Sequence, residues 1–205
     1  MSLKQDFILS RKPLAGFLSI GCAWSVYFAQ MPVIKANVGA SDGQYGVALL
    51  IASLGAIAAM WLAPLCRQIF QGLAIPLSIA ILGAGMLWAG ASTTLTALAC
   101  AMLLASAGSG VIDVLANARV AEVEEASGRG LMNLNHALYS FAYTGGALMT
   151  GVFRTADISP VGIFSCLCVV LAFLSWAARD KPAEIRRDDT SSATGPSATI
   201  VILTG

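Results

Sequence analysis

Long apolar runs alternate along this chain with short polar breaks. Six runs approach the roughly 20 mostly apolar residues needed to cross about 30 Å of hydrocarbon. They are Leu14–Ile34, Gln44–Ala63, Leu73–Gly90, Leu95–Ala118, Leu131–Phe153 and Ile158–Ala178. Each is apolar all round and about twice the length of a barrel strand, which predicts helices and not strands. The breaks between them are short, as for sequential antiparallel helices. Ser41 and Gln44 stand at capping-box spacing, so Ser41 is expected to cap the second helix while Gln44 reaches back. Glycines at Gly83 and Gly85, and at Gly145 and Gly146, suit the close backbone approach of helices packed in lipid.

The expected fold is therefore an all-α membrane protein with six transmembrane helices forming one bundle over residues 13–178. A cytoplasmic N-terminus, 1–12, precedes it. After it comes a polar stretch rich in charge and breakers, 179–198, expected to be a flexible cytoplasmic linker. Residues 199–205 turn apolar again and are expected to begin a seventh span.

Polar groups interrupt the apolar runs in stripes. Asp113 is the one acid well inside a run, and charge at that depth costs at least about 2.5 to 3.5 kcal/mol. Asn117 follows at i+4, and Ser109 and Ser106 precede at i−4 and i−7, so the four share one face of the fourth helix. On the fifth helix Asn133, His136, Tyr139, Ser140 and Tyr143 share a face by the same spacing. Counted from the flanking basic loop, Asp113 and His136 lie at similar depth. The fourth and fifth helices are expected to be neighbours, with both stripes facing one cavity. Trp24, Tyr27 and Gln30 form a third, weaker stripe on the first helix.

Composition sharpens the class. Of 205 residues 57% are hydrophobic and 11% charged, against about a quarter charged in an ordinary soluble domain. The net charge of +1 points to no nucleic acid partner. The five cysteines lie in or beside apolar runs without metal-ligand spacing, so neither a metal nor another cofactor is expected. Lys and Arg set the orientation. Ten fall on one side of the six-helix scheme and only Lys35 and Arg154 on the other, which predicts both termini in the cytoplasm.

The fourth and fifth runs also resemble a known family. The segment from Gly108 to Asn117 (GSGVIDVLAN) and that from Asn133 to Phe141 (NLNHALYSF) are similar to the fourth and fifth spans of major facilitator transporters. The nearest likeness is to the subgroup containing the fucose–proton symporter. Met31 and Pro32 before a loop ending Gly43, Gln44, Tyr45, Gly46 fit as well. The resemblance covers residues 13–178. It departs in the loop after the second span, where of the family's acidic and basic signature only Arg67 stands, and near Phe28, where the sugar symporter has a second acid.

The resemblance implies the N-terminal half of a two-bundle secondary transporter in the inner membrane, moving a small solute by alternating access. Asp113, with Asn117 and His136, would match the transport and proton-coupling positions. Trp24, Tyr27, Gln30, Asn133, Tyr139 and Tyr143 are the candidates for the substrate cavity. The implied partners are a small-molecule substrate, protons, membrane lipid, and a C-terminal half or a second copy of the chain. Two other classes compete with this reading: a homo-oligomeric six-span channel or assembly subunit, and an intramembrane hydrolase built on Ser109 and His136.

Overall fold

The computed structural model describes residues 3–179, and these form helices and turns with no strand among them. The expected linker, apart from its first residue, and the expected start of a seventh span lie outside the described residues. Six α-helices follow one another: α1 Leu3–Asn37, α2 Asp42–Phe70, α3 Ala74–Ala91, α4 Leu95–Ser127, α5 Met132–Thr155 and α6 Pro160–Ala177.

Local chemistry sets most of the boundaries. The expected capping box opens α2: Ser41 Oγ accepts from Gln44 N–H, and Gln44 Oε1 accepts from Ser41 N–H at 3.0 Å. Thr94 caps α4 and Ser159 caps α6, with Pro160 in the first turn, where a missing N–H costs nothing. Helix α4 stops at Gly128, whose φ of 65° is the left-handed conformation that glycine adopts without Cβ strain. The N-cap of α5 is Leu131, which has no capping side chain. Glu124, on the last turn of α4, replaces it by accepting from the Leu131 and Met132 N–H groups. Gln71, at φ 48°, reverses the chain between α2 and α3 through the 3-10 turn Gln71–Leu73.

The helices alternate in direction, as their closest approaches show. A Cβ on Gly85 of α3 would lie 2.6 Å from Ala105 N, and one on Gly108 of α4 would lie 2.8 Å from Leu82 N, so these two run antiparallel. Gly55 of α2 meets Leu103 and Ala107, whereas Gly110 of α4 meets Ala56 and Ala59, so α2 runs parallel to α4. Likewise α5 lies parallel to α1, with Gly21 against Tyr139 and Gly146 against Ser25. Helix α6 runs antiparallel to α3, where Ser175 Oγ donates to Pro76 O at 3.0 Å. A core of Tyr27, Ile34, Leu82, Met86, Met102, Ile112 and Phe164 fills the space between α1, α3, α4 and α6.

Three differences from the sequence reading stand out. Helix α1 continues back through Pro13 to Leu3 and α4 on to Ser127, well past their apolar runs. Helix α5 packs chiefly on α1 and meets α4 only slightly, so the fourth and fifth helices are not the close neighbours expected. Finally, among the described residues four helical stretches are long and apolar enough to cross a membrane: Leu3–Asn37, Asp42–Ala91, Leu95–Ser127 and Pro160–Ala177. The second of these holds both α2 and α3. Helix α5, with Asn133, Asn135, His136, Ser140 and Thr144, is not among them.

The alternation gathers the beginnings of α1 and α5 and the ends of α2 and α4 at one end of the bundle. Three of the basic residues expected in the cytoplasm meet acids there. Arg129 donates to Asp6, and Glu122 receives Arg67 Nη2 at 2.7 Å and Arg119 Nη1 at 2.9 Å. Partial burial pushes the Glu122 carboxyl up, but hydrogen bonds from Arg119 and Arg67 outweigh it and hold it below its ordinary value of 4.5. A lowered folded-state pKa stabilises the fold above the unfolded value, and that contribution disappears as pH falls through the folded one. Glu122→Gln is therefore expected to melt below the parent in detergent at neutral pH, with the gap closing as the medium is acidified below about pH 4.5. A gap that stays constant down to about pH 3 would show that Glu122 does not act through this pairing.

Candidate functional site

Between α1, α4 and α5 lies a cleft of about 390 Å³. Helix α4 contributes Ser106, Ser109, Gly110 and Asp113, which share one face by their i, i+3, i+4 and i+7 spacing. Helix α1 contributes Phe17, Ile20 and Trp24, and α5 contributes His136 and Tyr139. Ala56 of α2 completes the lining, brought close because Gly110 has no side chain to hold the two helices apart. The cleft thus unites side chains from four helices, with no stripe facing another directly across an α4–α5 contact.

Within it the polar groups are partly engaged. Asn117 Nδ2 donates to Asp113 O at 2.8 Å and to Asp113 Oδ1 at 3.1 Å, so the i+4 amide steadies the carboxylate from its own helix. Asp113 itself is exposed, not enclosed as its surroundings in the sequence suggest. Trp24 Nε1 donates to Ser109 Oγ at 2.9 Å, tying α1 to α4. The Trp24 indole stacks on Phe28 with ring centroids 5.6 Å apart, and the His136 ring tilts against Phe17 at 4.9 Å.

The remaining candidates lie elsewhere. Tyr27 is fully buried and hydrogen-bonds Tyr45 of α2 through the two hydroxyls. Gln30 is also buried, and its Nε2 has no hydrogen-bond partner among the described residues. Asn133 is exposed in the first turn of α5 and does not line the cleft. Tyr143 sits half-buried one turn beyond Tyr139, their ring centroids 6.4 Å apart. The polar spacing did not reveal Phe17, Ile20, Ala56 and Gly110, whose part is to shape the cleft. Gly110 carried the one available signal, a small residue inside the polar stripe. Asn135, buried with Oδ1 unpartnered, was likewise passed over. Among the described residues no group of His, Cys, Asp and Glu could hold a metal ion.

Comparison with known proteins adds to this geometry. The chain is 28% identical over 168 residues to an uncharacterized MFS-type transporter of Yersinia pestis, covering 79% of this chain and 42% of that protein. It is 28% identical over 156 residues to an uncharacterized transporter of Sinorhizobium fredii, covering 72% of this chain and 39% of the relative. Both relatives are named as transporters. This chain spans about two fifths of the length of each. No protein-family profile and no solved structure matches it. Apolar helices of this length beside transporter relatives mark a multi-pass membrane protein, and the relatives' names give no support to an enzyme.

The placement of Ser109 bears on the hydrolase alternative. A nucleophilic serine needs a base within hydrogen-bond reach, yet the partner of Ser109 Oγ is the Trp24 indole, and among the described residues no hydrogen bond joins it to His136. Ser109 is thus a tether for Trp24. Ser109→Ala leaves the half-buried indole N–H unpaired, and the expected loss is about 1 to 3 kcal/mol of stability, read as a lowered unfolding midpoint in detergent. Ser109→Thr, which restores an acceptor, should recover part of it. Equal midpoints for parent and Ser109→Ala would mean that the tether contributes nothing.

Proposed function

We propose that this chain is one bundle of six membrane-crossing helices and supplies the N-terminal half of a secondary active transporter of the major facilitator type. Its solute would bind in the cleft between α1, α4 and α5 and pass across the inner membrane by alternating access. The observation that carries this reading is the convergence of Asp113, His136, Trp24 and Tyr139 from three helices on one open cleft. A polar cavity lined from several helices is where a solute path belongs in a membrane protein. The likeness to transporters more than twice as long supports a second bundle as the opposite wall.

Two further features fit the same reading. Helix α2 leaves Leu50, Leu54, Met60 and Trp61 more than half exposed, and α5 does the same with Phe141 and Leu148. Apolar surface on that scale suits lipid or another bundle and not water. The polar groups that keep α5 below the apolarity of its neighbours include His136 and Tyr139, which line the cleft. In this reading α5 crosses the membrane with that side turned toward the solute path. Both termini and the Arg67–Glu122–Arg119 cluster would then lie in the cytoplasm. Pairing of two copies is the alternative source of the second wall.

Topology is the first test. Reporter fusions at Gly39, Thr93 and Ala156 are expected to report an external location, and a cytoplasmic signal at Ala156 would remove α5 from the set of crossings. Coupling is the second. Asp113 is the one carboxylate in the cleft, so a proton taken up on one side and released on the other would be carried there. In the protein completed by its second bundle, Asp113→Asn should abolish proton-driven accumulation while leaving solute exchange measurable at raised solute concentration. Accumulation equal to the parent's would place the coupling group elsewhere.

A further inference from the structure

We infer that the solute of this cleft is an organic cation, an amine or quaternary ammonium group carried on an apolar ring. This names the substrate class of the transporter reading and rests on that reading. The charge of the lining points to it first. Asp113 is the sole Asp, Glu, Lys or Arg among the residues lining the cleft. At the same end of the bundle Arg67 and Arg119 pair with Glu122, and Arg129 pairs with Asp6. Asn117 satisfies Asp113 Oδ1, and among the described residues nothing donates to Oδ2. An anionic ligand would meet this carboxylate with no Lys or Arg of the lining to offset it, whereas an ammonium group would complete its hydrogen bonding with a charge-assisted pair.

The aromatic lining points the same way. Phe17, Trp24 and Tyr139 come from two helices onto the one cleft. Trp24 has a single donor, and Ser109 takes it, so the indole offers the ligand ring surface and no hydrogen bond. Stacking on Phe28 helps to hold that ring in place. Ring faces attract cations through their quadrupole, most strongly for Trp and where water is excluded. Phe17, Ile20, Ala56 and Gly110 contribute no polar side-chain atom and give the cleft an apolar share that suits a ring. A volume of about 390 Å³ suits a ligand of one or two rings.

Three probes of one shape and different charge test this: 2-phenylethylammonium, 2-phenylethanol and 3-phenylpropionate. Each is measured by equilibrium dialysis against the purified 205-residue chain in an uncharged detergent. The ammonium probe is expected to bind about tenfold or more tighter than either of the others. Asp113→Asn should weaken it by about ten- to a hundredfold, to the level of the alcohol. Asp113→Glu, which keeps the charge, should retain the preference. If Asp113→Asn fails to give a helical, monodisperse protein, the comparison of three probes on the parent decides alone. Binding of the alcohol or the carboxylate as tight as that of the ammonium, an undiminished preference in Asp113→Asn, or no ammonium binding up to millimolar concentration would each overturn the inference. Equilibrium binding requires no transport. Selective binding without uptake by the completed protein would sink the transporter reading alone, and uptake without ammonium preference would sink this one alone.

Discussion

The close approach of α4 to two neighbours at once is the constraint on which the rest of this bundle depends. Gly85 and Gly108 let α3 and α4 pack with backbone against backbone, and Gly55 and Gly110 do the same for α2 and α4. Where lipid removes the hydrophobic drive between helices, such tight contact supplies much of the association energy. A methyl group at any of the four would have to displace main-chain atoms or a neighbouring alanine. With α2 and α3 drawn against its small-residue faces, α4 presents its remaining face, the one carrying Ser109 and Asp113, to α1 and the cleft. The polar stripe reaches the cleft because the glycine contacts leave it nowhere else to turn.

The cleft in turn depends on α1 as a mediator. Helix α1 runs antiparallel to α4 and parallel to α5, and it touches both through side chains that also line the cavity. Trp24 is tied to Ser109 on one side, and Phe17 packs on His136 on the other. A shift of α1 would therefore alter the positions of the α4 and α5 polar groups together. Helix α5 is the least enclosed element. Only Asn135 and Thr150 are buried along its length, and a side-chain carboxylate from α4 secures its first turn. Helix α5 is thus held chiefly by α1 and by this borrowed cap.

Much of this could be read from residue order because its causes are local. Length and continuity of apolar runs specified helices, and Ser41 with Gln44 specified a capping box that the structure contains. The i+4 relation of Asp113 and Asn117 specified a contact within one helix, where 3.6 residues per turn leave no freedom. The basic residues assigned to one side of the bundle, Arg67, Arg119 and Arg129, do gather at one end, because alternation of six consecutive helices places them there. The long extensions of α1 and α4 were not foreseen. Apolar runs record where lipid or a core is needed, and a helix continues past them until a residue such as Gly128 stops it.

What order along the chain determined by itself was the set of helices, their alternating direction and the face on which each carries its polar groups. Tertiary structure alone decided which face meets which. It set α5 against α1 and not α4, left Asp113 exposed in a cleft, and turned Tyr27 and Gln30 inward while Trp24, on the same helix, reached the cavity. The reason is physical. Helical periodicity fixes the angle between two side chains about one axis, but the partner of a face depends on how closely other helices can approach. That distance is set by small residues far away in the chain, such as Gly55 against Leu103 and Gly110 against Ala59.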